Sequence, residues 1–399
     1  MSEGARTESK RRWGILALGL SAQTASCVFL YGLPFLVPEM HSRSLAAAGT
    51  IVAAPSIGLL LTLIAWGAAA DRYGERLVMA LGLGGSGLLL LATALAAPSG
   101  AGEFVLFLLA GASSASVNAA SGRAVMGWFE PAERGTAMGI RQTAQPLGVG
   151  IAALALPPLA RQWGFYPSLL FPACFALVVA LLVAWLAADP PRPPKRPGAA
   201  KPASPYRHPT LWRLHGASAL MVVPQFAVSA FAPVYLVSHH WSPVAAGWFL
   251  AATQVLGAAG RLASGYWSDR VGSRLRPMRQ LAVASAAALL LVALGDVSWL
   301  WLVLLALVLA AVITVADNGL GFTASAELAG SAWAGRAMGA QNTAQNLAAS
   351  LTPPLLGLVI GGSGYALAFC VAAVFPVLAV SLTPVHAEAR ARRTSEVPA

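Results

Sequence analysis

Three charged side chains, Arg141, Arg261 and Asp317, stand inside stretches that are otherwise apolar, and a fourth, Arg123, lies near the end of one. Charge within a long apolar run is costly, and by default it is functional or paired. A guanidinium presents a planar fork of donors that suits carboxylate, phosphate or nitrate, so two of them converging would attract a small anion. Asp317 is the candidate for accepting a proton or pairing with an arginine. Amides accompany these charges at helical spacing. Arg141 and Gln145 are four apart, as are Gln341 and Gln345, and Gln142, Asn342 and Asn346 extend the same faces. Gln23, Gln225, Asn118 and Asn318 fall near the middle of their own runs. Singly, each amide reads as a tie between helices worth about 0.6–2 kcal/mol; as a set they read as the lining of a polar cavity. For each arginine the alternative is snorkelling towards the nearer surface.

The elements that must position these residues are helices in a bilayer. Of the 399 residues, 57% are hydrophobic and 10% charged, and apolar runs recur throughout. Twelve spans can be drawn, at 13–37, 47–70, 77–97, 104–127, 136–160, 167–187, 211–236, 244–267, 280–296, 299–323, 336–360 and 364–383. Drawn this way, Asp317 stands about seven residues from the end of span 10. Apart from the intramembrane arginines, and Arg43 and Arg161, the Lys and Arg residues lie in the amino terminus, the even-to-odd loops and the carboxyl tail. By the positive-inside rule both termini are then cytoplasmic and the chain is a multi-pass protein of the plasma membrane. The net charge of +11 thus follows topology, and no nucleic-acid partner is implied. Lys10-Arg11-Arg12 leads into a span without a small-residue cleavage site, which reads as a first transmembrane helix and not a removable signal. Cys27, Cys174 and Cys370 are far apart within spans and read as buried filler.

Two segments repeat. Gly135–Leu147 (GTAMGIRQTAQPL) and Gly335–Leu347 (GRAMGAQNTAQNL) agree at eight of thirteen positions. Upstream, Asp71-Arg72-Tyr73-Gly74-Glu75-Arg76 is answered by Asp269-Arg270-Val271-Gly272-Ser273-Arg274. A duplicated unit of apolar helices is a transporter plan. It divides the chain into a six-helix bundle at 1–187, a linker at 188–209 with eight prolines, a second bundle at 210–385 and a polar tail at 386–399. Linker and tail are expected to be solvated and without fixed structure.

The turn running from Gly67 through Asp71-Arg72 to Gly74 and Arg76 resembles the loop signature of the major facilitator superfamily, and Gly265 through Asp269-Arg270, Gly272 and Arg274 resembles it again. The resemblance covers essentially the whole chain. It implies an all-α integral membrane fold of twelve transmembrane helices in two six-helix bundles. It also implies that Gly67, Asp71, Arg72, Gly74, Arg76, Gly265, Asp269, Arg270, Gly272 and Arg274 belong to gates and not to the substrate site. Gly67 permits a close helix contact and Gly74 relaxes the turn. Glu75 stands where the family usually has a basic residue, which is expected to loosen that contact. Arg123, five residues before Trp128, is the expected partner of Asp71. Arg261, eight before Asp269, is placed similarly to an arginine of oxalate/formate and monocarboxylate porters, where it meets the substrate carboxylate.

These residues point to a secondary transporter of a small organic anion working by alternating access. Arg261 and Arg141 are its anion contacts, and Gln23, Gln225, Gln145, Gln345, Asn118 and Asn318 its polar lining. Proton coupling falls to Asp317 first, then to His215. His239 and His240, before Trp241, read as membrane-interface residues. The rival within transport is proton-coupled efflux of a hydrophobic drug-like compound. However, Leu108 and Leu109 stand where such antiporters carry an arginine, and Pro146–Gly150 is a partial likeness of their helix 5 run. A receptor or sensor without net transport is a further alternative. No enzyme is expected, since no GxSxG elbow or HExxH pair occurs. Neither cofactor nor metal is implied, and the expected partners are a small-molecule substrate and lipid, with the chain acting as a monomer.

Overall fold

The computed structural model describes residues 3–40, 44–190, 203–298 and 300–389, and among these every regular element is helical. In lipid the backbone must satisfy its own polar groups, and runs this apolar do so as helices. They are α1 (Glu3–Leu30), α2 (Leu45–Tyr73), α3 (Glu75–Ala96), α4 (Ala101–Trp128), α5 (Arg134–Gln142 and Ala144–Trp163) and α6 (Phe165–Ser168 and Leu170–Leu186). The second series is α7 (Pro209–Ser238), α8 (Pro243–Val271), α9 (Leu275–Ser298), α10 (Leu300–Ala316 and Asn318–Ala329), α11 (334–363) and α12 (365–382), the last two separated by Gly364 at φ 83°. Among the described residues, ten stretches are long and apolar enough to cross a bilayer. One of them holds both α11 and α12, and α8 is a further helix of 29 residues. That accounts for twelve helices.

Local chemistry explains where the helices start and break. Ser44 Oγ accepts from Ala47 N (3.2 Å) at the head of α2, and Ser242 Oγ from Ala245 N (3.1 Å) at the head of α8. The first span was drawn to 37, but α1 stops at Leu30 and a 3₁₀ turn, Leu33–Glu39, follows, because Pro34 has no N–H for the Leu30 carbonyl. α5 breaks at Thr143 for the same reason, Pro146 having no N–H for Gln142. α10 breaks at Asp317, just ahead of Gly319 and Gly321, and then runs on to Ala329. Asp317 is therefore twelve residues from the end of its helix (329 − 317), and not the seven drawn from hydropathy.

The chain forms two compact units. The first comprises Met1–Glu130, Thr143–Pro202 and Ser331–Ala340; the second comprises Pro131–Gln142, Ala203–Gly330 and Gln341–Ala399, each in its described residues. Each unit thus includes the head of a helix, α11 or α5, that by sequence belongs to the other repeat. Leu63, Leu83, Leu90, Phe107 and Leu156 are among the buried side chains at the cores of the first unit, and Met221, Tyr235, Leu289, Leu307 and Phe369 among those of the second.

Three expectations need correcting. Only Cys27 is buried; Cys174 is exposed and Cys370 half-buried, since the helix faces that carry them are not turned inward. The described ends of the linker are packed: Asp189 accepts from Glu75 N (2.7 Å) and Arg76 N (2.9 Å), and Tyr206 is half-buried in a 3₁₀ turn, Pro205–Arg207. The tail is helical up to Ala389, and Glu388 is buried, accepting from Arg274 N (2.6 Å). Thus an acid beyond α6 caps α3, and an acid beyond α12 caps α9. The rest of the linker, with Arg192, Lys195, Arg196 and Lys201, and the tail beyond 389 lie outside the described residues, as does Arg43.

Candidate functional site

The two signature turns fold alike. Asp71, at the end of α2, accepts from Gly335 N (2.8 Å) and Arg336 N (3.1 Å) at the head of α11 within the first unit. Asp269, at the end of α8, accepts from Gly135 N (2.9 Å), Thr136 N (2.7 Å) and Thr136 Oγ1 (2.7 Å) at the head of α5 within the second. A carboxylate on the first amides of a helix satisfies donors that lack an intrahelical partner and meets the positive end of the dipole. The contact requires glycine. A Cβ on Gly67 would lie 2.3 Å from the Gly335 carbonyl, and one on Gly265 equally close to that of Gly135. Gly74 and Gly272 take positive φ, 101° and 61°, in the turns themselves.

Around each carboxylate the cations differ. Arg123 Nε pairs with Asp71 at 3.1 Å, as expected, and Arg336 lies at 3.5 Å. Glu75 does not loosen this cluster. It is buried and pairs with Arg123 Nη1, because α3 turns its first residue inward beside α4. Arg274 is buried and donates to Asp269 Oδ1 (2.5 Å), Ser268 Oγ (2.8 Å) and the Pro131 carbonyl. Arg72 and Arg270 are exposed and lie over Tyr73 and Tyr266, and Arg76 donates to the Ala184 carbonyl. Arg123→Ala would leave two buried carboxylates facing each other. The expected result is a loss of about 3–5 kcal/mol, the cost of breaking a buried ion pair from one side, read as lower thermal stability in detergent. Glu75→Gln in the same background should recover part of it.

The intramembrane charges converge in the second unit. The first segment of α5 packs backbone to backbone on α8, since a Cβ on Gly139 would be 2.6 Å from the Arg261 carbonyl. Gly319 of α10 comes against Gly139 from another side, and Ser264 Oγ of α8 donates to the Ala316 carbonyl of α10 at 2.5 Å. Arg141, Arg261 and Asp317 each sit within two residues of this three-helix contact, and all are buried. Arg261 lies within Coulombic reach of Asp317. Arg141 donates to Gln142 Oε1 (3.1 Å) and lies over the Phe322 ring, 6.0 Å from its centroid. Asp317 Oδ1 has no hydrogen-bond partner among the described residues.

The repeat makes a control of the first unit. There a Cβ on Gly339 would meet the Leu63 carbonyl at the same 2.6 Å. The same contact therefore presents Leu63 where the second unit has Arg261, and Val117 stands in place of Asp317; Gln341, the repeat counterpart of Arg141, itself belongs to the second unit. Among the described residues, the buried charged side chains of the second unit are Arg141, Arg261, Arg274, Asp317 and Glu388. Arg274 and Glu388 belong to the signature turn, which leaves two guanidiniums and one carboxylate.

The mid-helix amides pair with each other. Gln23 Nε2 donates to Asn118 Oδ1 (3.0 Å) in the first unit, and Asn318 Nδ2 to Gln225 Oε1 (3.1 Å) in the second. Both pairs tie a helix that opens its repeat to the fourth helix of that repeat, the glue expected of amides in lipid. Gln145 is half-buried in the first unit. Gln345 is buried on α11 in the second, one turn beyond Gln341, its Nε2 without a hydrogen-bond partner among the described residues. Of the proposed lining, the second unit thus brings together Arg141, Arg261, Asp317, Asn318 and Gln225; Gln23, Asn118 and Gln145 belong to the first. Sequence reading passed over Asp189 and Glu388, and also Glu103, which is buried in the first turn of α4 just outside the drawn span. The matching positions of Asp189 and Glu388, each a few residues past the last helix of its repeat, were the available signal. His239 stacks on Tyr235 (4.1 Å between centroids) and His240 is exposed.

Comparison with known proteins agrees with this plan. The Major Facilitator Superfamily model matches residues 15–353. A Mycobacterium tuberculosis protein described as an uncharacterized MFS-type transporter is 43% identical over 398 residues, covering 96% of this chain and 88% of its own. The probable anion transporter 4, chloroplastic, of Arabidopsis thaliana is 29% identical over 307 residues, 67% of this chain and 55% of its own. The crystal structure of the fucose:proton symporter of E. coli superposes with a TM-score of 0.74 at 17% identity, over 96% of this chain and 98% of that one. A twelve-helix membrane chain whose two repeats each carry the signature turn, matched along most of its length, is a transporter and not an enzyme: it belongs to the Major Facilitator Superfamily.

Proposed function

We propose that this transporter carries a small organic anion across the plasma membrane by alternating access, with both termini and the signature turns on the cytoplasmic side. The observation that carries the reading is the charge count of the second unit. Apart from the signature turn, its buried charges among the described residues are two guanidiniums and one carboxylate, so the site is one positive charge in excess when Asp317 is ionised, and a monoanion brings it to neutrality. A charge held in lipid without compensation is costly, which makes the loaded site the one best suited to transit. If Asp317 is protonated the excess is two, and the site then suits a dianion or a monoanion held more tightly. The relative described as a probable anion transporter supports the same class.

In this reading residues 1–187 and 210–385 are the two rocking halves and 188–209 the linker. Asp71 and Asp269, with their glycines and arginines, act as latches on the heads of α11 and α5, while Arg261 and Arg141 hold the anion and Asp317 takes the coupled proton. An apolar groove of about 490 Å³ between α7 and α8, lined by Pro233, Val237 and Leu250 among others, offers one hydroxyl, that of Ser238, and no charge. It supplies nothing to recognise an anion.

The experiment is substrate counterflow in proteoliposomes with labelled monocarboxylates, dicarboxylates and a lipophilic cation. Exchange of an anion is the expected result. Exchange of the cation alone would establish the efflux reading instead, and binding of any of them without exchange would point to a sensor.

A further inference from the structure

Near the first turns of α7, His215 is buried between two partners. Tyr206 Oη lies 3.0 Å from its Nε2, and Gln341 Oε1 lies 2.5 Å from its Nδ1. The amide oxygen can only accept, so Nδ1 carries the hydrogen, and in the neutral ring Nε2 accepts from the Tyr206 hydroxyl. Burial pushes the Tyr206 phenol up to about 12, so the hydroxyl keeps its hydrogen. When the ring takes a second proton at Nε2, Nε2–H donates to Tyr206 Oη and the phenolic hydrogen turns away. The Gln341 bond is kept, and no contact is lost in either state.

Gln341 is fully buried, and with its oxygen committed to His215 its amide nitrogen points the other way. Nε2 would be 3.0 Å from a Cβ on Gly321, and Gly321 N donates to the Asp317 carbonyl at 3.0 Å. Neither Gln341 Nε2 nor the neighbouring Ser218 Oγ has a hydrogen-bond partner among the described residues. A buried donor left unspent is costly, and here it is aimed at the turn that begins with Asp317. Gln341 is also the repeat counterpart of Arg141. The cation that one repeat supplies permanently can therefore be supplied at the other by a protonated His215 behind the amide.

Among the described residues, few other charges bear on the ring. Tyr206 faces it from the 3₁₀ turn and the neutral Gln341 from α11. The described apolar residues of α9, α10 and α12 that cluster at this end of α7 include Leu275, Met278, Leu320, Ala324 and Ala379. Arg213 donates to the Ser381 carbonyl, and Glu327 pairs with Arg134 and Arg274.

We propose that His215 is a second proton-binding site of the transporter, which through Gln341 tightens anion binding as pH falls. The proposal rests on the anion reading above. A positive charge on the ring polarises the Gln341 amide and strengthens its N–H as a donor, as linked hydrogen bonds do in a low-dielectric interior.

The test uses purified full-length protein and methanesulfonate, an anion of constant charge from pH 5 to 8. Histidine-ring NMR, with His215→Asn identifying the resonance, should show His215 titrating, its midpoint raised by saturating methanesulfonate. Binding should tighten by about fivefold from pH 8 to pH 5, and linkage requires the matching midpoint shift to be about 0.7 of a pH unit. With Asp317→Asn as the background, which removes the other titrating group, the pH dependence that remains should shrink to less than about twofold on adding His215→Asn or Gln341→Leu, the latter leaving the imidazole in place. If methanesulfonate binds but neither moves the His215 midpoint nor depends on residue 215 for its pH response, the proposal fails and the anion reading stands. If no anion in the counterflow panel, nor methanesulfonate, binds at any pH, both fall.

Discussion

Replacing Arg261 by alanine is expected to abolish anion exchange, lowering counterflow by about 100-fold or more, the consequence of leaving a buried charged contact worth about 3–5 kcal/mol without one partner. The guanidinium is buried where α5, α8 and α10 meet, within reach of Asp317, and the equivalent contact of the first unit holds a leucine. Lysine at 261 keeps the charge but loses the planar fork, so it should restore only part of the activity. The check is counterflow together with thermal stabilisation by methanesulfonate, on protein whose helix content and elution profile match the parent. Stabilisation and exchange both surviving in Arg261→Ala would end the anion-site assignment. Arg141→Ala should weaken binding less, since Arg141 already has Gln142 and the Phe322 ring as company.

Replacing Asp317 by asparagine should separate exchange from accumulation. The amide fills the same volume and keeps hydrogen-bonding capacity, while removing the group that can take up a proton at this depth. Counterflow is expected to persist. Uptake against a gradient, with the membrane potential clamped at zero, is expected to fall from about tenfold per unit of pH difference, the most that one coupled proton supports, to equilibration. Accumulation surviving in Asp317→Asn would move the coupling to another group, and His215 is the next candidate. The two residues are separable because the pH series of binding in Asp317→Asn reports His215 alone, while accumulation reports Asp317.

The duplicated segments acquire a structural meaning from the way the units are composed. The heads of α5 and α11 carry the repeated glycines, and each is received by the signature turn of the opposite repeat: Gly135 and Thr136 by Asp269, Gly335 and Arg336 by Asp71. Glycine at 135 and 335 follows from the close approach, and the shared Ala-Met-Gly continues the packing to Gly139 and Gly339. The glycines identical in the two copies, Gly135 with Gly335 and Gly139 with Gly339, make this contact. Among the differing positions, Arg141 against Gln341 and Pro146 against Asn346 set the charge and the helix break.

What the sequence determined by itself was periodic or repeated. Apolar length defines spans, so twelve helices could be drawn; internal likeness defines the duplication; and Asp-Arg-x-Gly in both copies defines the turns. Arg123 could be matched to Asp71 because one helix spacing and one loop limited its reach. Tertiary structure decided what depends on direction and depth. Hydropathy does not register a helix break, so Asp317 was drawn seven residues from an end that lies twelve away. A cysteine in an apolar run can face lipid or core with equal ease, which is why Cys174 proved exposed. Glu75, Asp189 and Glu388 look like ordinary loop acids, and only the fold brings them to Arg123 and to the first amides of α3 and α9. The convergence of Arg141 with Arg261 and Asp317 in one unit depends on Gly139 admitting the α8 backbone. That contact is a matter of shape between segments 120 residues apart (261 − 141), and no spacing within the chain encodes it.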